Sequence, residues 1–171
     1  MKTNSDIKSV PLKKVHFMSL GCPKNLVDSE IMAGTLMKDG YEVVSEAEDA
    51  DTVIVNTCGF IEESKKESVQ RILDMSALKE EGKIKKVVVA GCLTQRYKTD
   101  LVESLPEADL FVGSGEFQNI GKILKSHDEG NKAKTFFNLP TYLQEDTTPR
   151  VNSQPKHRAY LKISEGCMKR C

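Results

Sequence analysis

Short apolar runs alternate with longer amphipathic stretches along most of this chain. Residues 15–20 read as a first strand. Residues 25–38 follow with Val27, Ile31 and Gly34 at helical spacing, and Asp39-Gly40 ends that helix. Residues 41–44 predict a short strand and 52–56 a third. A long helix is expected over 61–80, with Val69, Ile72 and Leu73 as its apolar stripe. Glu62–Lys66 and Glu67–Arg71 would support it as i,i+4 pairs, and Gly82 is its stop signal. Residues 87–90 are almost uninterruptedly apolar, as suits a strand covered on both faces. A helix over 95–105 carries Tyr97, Leu101 and Leu105 on one side. Residues 110–112 predict a fifth strand. A helix over 116–126 turns Phe117, Ile120 and Leu124 inward.

This alternation predicts an α/β fold: an open, mostly parallel sheet with helices on both faces, occupying residues 15–138 after a tail at 1–14. From 139 to 157 the chain turns rich in Pro, Thr, Ser and Asn and loses its apolar period, which reads as a linker. Residues 159–163 then read as one more strand, followed by SEGCMKRC, so a second domain is expected to begin at 158.

Composition narrows the classes. The 171 residues are 39% hydrophobic and 29% charged, the make-up of an ordinary globular protein. Twenty-five basic and 25 acidic side chains cancel, so no long-range field points to nucleic acid or an anionic membrane. No run approaches a membrane span, and the N-terminus lacks a signal-peptide core, so the expected location is cytoplasmic. In a reducing compartment, cysteines are ligands, catalysts or core fillers more often than disulfides.

Three of the five cysteines repeat one pattern. Cys22, Cys58 and Cys92 close the runs VHFMSLGC, DTVIVNTC and KVVVAGC, with Gly21, Gly59 and Gly91 beside them. In an open parallel sheet, ligands bind outside the carboxyl ends of the strands. Three thiols there are candidate ligands for an iron–sulfur cluster with one open iron. Zinc remains an alternative. So does plain packing, because a free cysteine often behaves as a small hydrophobe. Cys167 and Cys171 form a CxxxC pair after the last expected strand. A CxxxCxxC run would bind a 4Fe–4S cluster whose fourth iron chelates S-adenosylmethionine, but its third cysteine would fall at position 174.

Other polar residues have plainer readings. Asn25, Asp28, Ser29 and Glu30 suit capping and dipole complementarity at a helix start. Gln95 and Arg96 follow Cys92 in the same way. Gly113-Ser114-Gly115 reads as an ordinary turn before a phosphate cradle. His16 and His127 have no ligand-like partner in sequence, and 156–158 is a small basic patch in the linker.

Four segments, GCPKNLVDSE (21–30), NTCGFI (56–61), AGCLTQRY (90–97) and KISEGCMKRC (162–171), together resemble the methylthiotransferase family of radical S-adenosylmethionine enzymes, in the family's order. Pro23 and Lys24 make the chain more similar to the branch acting on a ribosomal protein than to the branch acting on tRNA adenosine. The resemblance implies that Cys22, Cys58 and Cys92 hold an auxiliary 4Fe–4S cluster. It implies that Cys167 and Cys171 are two ligands of a second 4Fe–4S cluster, which cleaves S-adenosylmethionine to a 5′-deoxyadenosyl radical. The implied substrate is an aspartate of small-subunit ribosomal protein twelve. With the third radical-cluster cysteine and the rest of that barrel missing, the expectation is an N-terminal fragment inactive by itself. It is not expected to bind nucleic acid. The reading from another class is a non-catalytic α/β module, zinc-binding or metal-free.

Overall fold

The computed structural model describes residues 12–139 and 145–164. Its sheet is six-stranded and parallel throughout, in the order β2-β1-β3-β4-β5-β6. The strands are β1 (Lys14–Ser19), β2 (Glu42–Val44), β3 (Thr52–Thr57), β4 (Lys86–Gly91), β5 (Leu110–Gly113) and β6 (Thr135–Phe136). Between them run α1 (Pro23–Lys38), α2 (Glu62–Glu80), α3 (Cys92–Ser104) and α4 (Ile120–Asp128).

Strand alternation explains the two-layered core. In β3, Ile54 points to one face while Val53 and Val55 point to the other. In β4, Val88 and Ala90 oppose Val87 and Val89. One face packs under α1 and α4 through Val27, Ile31, Leu36, Ile120 and Leu124. The other packs under α2 and α3 through Ile72, Met75, Leu93 and Leu101. Both faces are covered, which is why these strands read as continuous apolar runs.

The chain leaves β1 for β2 on one side and later returns to lay β3 on the other. That reversal is the switch point where open α/β sheets carry their ligands, at the carboxyl ends of the strands.

Several sequence expectations need correction. Leu73 is 41% exposed, and α2 buries Ser68, Ile72, Met75 and Ser76 instead. Positions 68, 72, 75 and 76 form a true i, i+4, i+7, i+8 face, and its serines escaped an apolar count. Among the described residues, the ion pairs within α2 are Lys65–Glu62 at 2.9 Å and Arg71–Asp74 at 3.4 Å, spaced three apart rather than four. Helix α3 starts at Cys92 itself and is interrupted at Lys98, which sits at φ 41°. The helix expected over 116–126 is a 3-10 turn at Phe117–Asn119 followed by α4, and His127 lies in the last turn of α4. Strand β6 was not foreseen: it is two residues long, and only pairing with Phe111 and Val112 makes it a strand.

Residues 159–163 are not a strand. A β conformation is fixed by a ladder, and among the described residues no strand lies beside them to supply one. Residues 149–162 lie instead against α1. The Val151 N–H donates to the Glu30 carbonyl at 3.0 Å, and Arg150 and Lys162 reach Glu30 and Asp28. No helix among the described residues is long and apolar enough to cross a membrane.

Candidate functional site

Cys58 and Cys92 directly follow β3 and β4, and Cys22 lies three residues past the end of β1; the three strands are adjacent. Cys22 is the N-cap residue of α1, where Pro23 fits because that position needs no N–H donor. Cys92 opens α3. Cys58 lies in the loop before α2 and is buried, while Cys22 and Cys92 are exposed.

The loops are held against one another closely. Gly21 has φ +86°, a conformation that disfavours side chains. A Cβ there would stand 2.5 Å from the Cys58 Cβ and 2.9 Å from its Sγ. Glycine at 21 is therefore what lets the Cys22 loop close on Cys58.

A buried polar network sets these loops, and Asn25 is its centre. Its Nδ2 donates to the carbonyls of Leu20 at 3.0 Å and Thr57 at 2.9 Å, joining the ends of β1 and β3. Its Oδ1 lies 3.5 Å from the Cys92 thiol, which donates to it. Asn56 returns the link, its Nδ2 donating to the Asn25 carbonyl at 2.8 Å and to Ser29 Oγ at 2.9 Å. Thr57 Oγ1 donates to the Ala90 carbonyl at 2.5 Å and so joins β3 to β4. Ser68 of α2 grips Cys58, accepting from its N–H at 3.2 Å and donating to its carbonyl at 3.3 Å. Arg96 donates to the Gly59 carbonyl at 3.1 Å and ties the Cys92 turn to the Cys58 loop.

The capping expectation for α1 fails here. Among the described residues, no side chain caps its N-terminus. Asn25 and Ser29 face the strand ends, Asp28 accepts Lys162 at 2.6 Å, and Glu30 accepts Arg150 and Ser153. Gln95 is turned toward Gly113, and its buried Oε1 finds no donor among the described residues. The 113–115 turn leads into buried Glu116, whose carboxylate accepts from Asn119 and Asn138, an acidic setting poorly suited to phosphate. His16 Nδ1 lies 3.2 Å from the Val44 carbonyl, a contact within the sheet. Ser68, Asn56 and Thr57 were missed as supports of the site. For Asn56 and Thr57, the available signal was polar residues closing an otherwise apolar strand.

The Cys92 thiol is pushed above the ordinary thiol range, first by burial of its sulfur although the residue is exposed overall. Cys22, Asp28 and Cys58 push it further, and Lys162 opposes them. Among the described residues, no three His, Cys, Asp or Glu side chains are gathered closely enough to hold one metal ion. Cys167 and Cys171 lie outside the described residues.

Fold and site together define a doubly wound α/β domain with three thiol-bearing strand ends at its switch point. The chain belongs to the group described as Uncharacterized protein family UPF0004, which matches residues 14–113, from the start of β1 to the end of β5. It is 89% identical over 159 residues to the ribosomal protein uS12 methylthiotransferase RimO of Bdellovibrio bacteriovorus, covering 93% of this chain and 35% of that protein. Proteins of the same name from Trichlorobacter lovleyi and Geobacter sulfurreducens are 46% and 44% identical over the same share of this chain, and 35% and 36% of their own lengths are covered. The chain thus spans about a third of the length of the curated relatives it matches.

Proposed function

We propose that this chain is the part of a ribosomal protein uS12 methylthiotransferase that holds its auxiliary 4Fe–4S cluster on Cys22, Cys58 and Cys92. The observation that carries the reading is the placement of three cysteines at the carboxyl ends of β1, β3 and β4, in a chain 89% identical to a protein of that name. The donor set fits the group. All three candidate ligands are thiols, the preferred ligands of iron–sulfur clusters. Cys22, Cys58 and Cys92 would each contribute one thiolate to the cluster.

When bound, such a cluster supplies an open iron at which a sulfur-bearing group can be held for transfer. The chain's own residues do the rest. Asn25 and Thr57 fix the spacing of the three strand ends, Ser68 fixes the Cys58 backbone, and Arg96 joins the Cys58 and Cys92 loops. To serve as a ligand the Cys92 thiol would have to lose its proton, which burial of its sulfur opposes. The substrate under this reading is an aspartate of the ribosomal protein, and the location is cytoplasmic. Cys167 and Cys171 would supply thiolates to a second cluster, at which S-adenosylmethionine would be bound.

Anaerobic reconstitution with iron and sulfide tests the proposal. The expected result is about four irons and about four sulfides per chain at this site, counted as the loss on Cys22→Ala, Cys58→Ala or Cys92→Ala. One tightly held zinc and no iron, or iron uptake indifferent to all three substitutions, would overturn it.

A further inference from the structure

We propose that Glu30 is the positioning residue that seats residues 149–162 along α1, so that Gln154 and Tyr160 form one wall of the site at Cys22. The proposal rests on the function above only for the importance of Cys22; the geometry stands apart from it.

Glu30 lies on α1 and is 3% exposed. Its Oε2 accepts from Arg150 Nε at 2.9 Å and Nη2 at 2.6 Å, and its Oε1 accepts from the Ser153 N–H at 2.8 Å and Oγ at 2.6 Å. Its carbonyl takes the Val151 N–H. One residue thus collects five hydrogen bonds from a segment more than a hundred positions away. One helical turn on, Gly34 provides the space: a Cβ there would stand 2.6 Å from the Arg150 nitrogen. The segment can lie on the helix backbone only because that position is bare.

The attachment is carried toward the cysteines. Arg150 Nη2 also donates to the Tyr160 carbonyl at 2.7 Å, so the side chain that binds Glu30 also fixes the backbone at 160. Two residues later, Lys162 meets Asp28 at 2.6 Å with its side chain 3% exposed, and stands 5.1 Å from the Phe117 ring. Between these two fastenings, Gln154 and Tyr160 line a cleft of about 320 Å³ together with Leu20, Gly21, Cys22 and Pro23. A linker free of the domain has no use for a buried carboxylate with every oxygen taken. A segment required at a fixed distance from Cys22 does.

The test uses the 171-residue chain, reduced and free of iron, so it does not depend on cluster uptake. Two variants are compared with the parent: Glu30→Gln, and the double variant Arg150→Ala/Ser153→Ala, which leaves α1 and the core intact. Amide exchange at Val151 and Ser153 is followed by mass spectrometry, together with alkylation of Cys22 and Cys58 by a bulky maleimide. We expect exchange at 151 and 153 to accelerate about tenfold or more in the double variant, as for loss of charge-assisted hydrogen bonds. Cys22 should alkylate several-fold faster while buried Cys58 keeps its protection. Unchanged exchange, unchanged Cys22 reactivity, or equal acceleration at Cys58 in the double variant each overturns the proposal, whatever Glu30→Gln does to folding. Failure of iron uptake would sink the proposed function and leave this result standing.

Discussion

The Cys92 thiol donates to the Asn25 carboxamide oxygen across 3.5 Å, while the same carboxamide's nitrogen serves the carbonyls of Leu20 and Thr57. One side chain therefore touches all three strand ends that carry cysteines. Asn25→Ala leaves two inward carbonyls without their donor and should cost about 2 kcal/mol, or roughly 4–8 °C in Tm. Asn25→Asp should cost more at neutral pH, because it turns a carboxylate toward those carbonyls. Thermal unfolding of the two variants checks this, and an aspartate variant as stable as the parent would refute the assigned role.

Gly21 offers a sharper contrast. Its positive φ and the 2.5 Å approach to the Cys58 Cβ both oppose a side chain. Gly82 also has a positive φ, +75°, but nothing lies within 4 Å of its Cβ position. Gly82→Ala should cost about 1 kcal/mol, the conformational part alone. Gly21→Ala should cost about 2–4 kcal/mol and also lower iron retention on reconstitution. Equal denaturation midpoints for the two variants would show that the Cys22 loop does not press on Cys58.

Adjacent residues on α2 separate the observed buried face from the one expected. Ile72 is fully buried, whereas Leu73 is 41% exposed. Ile72→Ala should destabilise by about 2–4 kcal/mol and Leu73→Ala by under about 1 kcal/mol. Urea titration of both variants decides it, and the reverse ranking would restore the apolar stripe read from sequence.

Asp128 ties the far edge of the sheet together. It accepts from Lys13 at 2.6 Å, just ahead of β1, and from Lys86 at the start of β4. Burial pushes its carboxyl up, but the two lysines outweigh that and hold it below the ordinary carboxylate value. A carboxylate so depressed adds stability above its unfolded pKa of about 4, and that stability disappears as pH falls through the lower folded value. With the group partly exposed, the gain is about 1 kcal/mol after screening. Asp128→Asn should thus trail the parent by about that much at pH near 7, and the gap should close as pH falls through the depressed carboxyl value. A gap that persists undiminished in acid would show that the charge is not its source.

The strand–helix alternation and the three cysteine positions were legible because each rests on a local signal. Short, largely apolar runs that end at a cysteine with a glycine beside it mark β1, β3 and β4 without reference to any partner. The supports of the site were harder to read. Ser68 counts as a polar interruption of α2 until Cys58 is seen beside it. Glu30 looks like a dipole-complementing acid until Arg150 and Ser153 arrive from the other end of the chain. Residues 159–163 show the converse error: an apolar, β-prone stretch remains unpaired among the described residues because propensity does not supply a neighbouring strand.

By itself, the sequence determined that the chain forms an open parallel α/β sheet and that three thiols fall at its strand ends. Periodicity is a property of consecutive residues, and cysteine chemistry belongs to the residue alone. Only the tertiary structure decided what holds those thiol-bearing loops at their spacing and which segment walls the cleft at Cys22. Both depend on contacts between residues ten to more than a hundred positions apart: Asn25 with Thr57 and Cys92, Cys58 with Ser68, Glu30 with Arg150. Buried polar groups must find partners wherever the fold brings them, and no local pattern records which partner that will be.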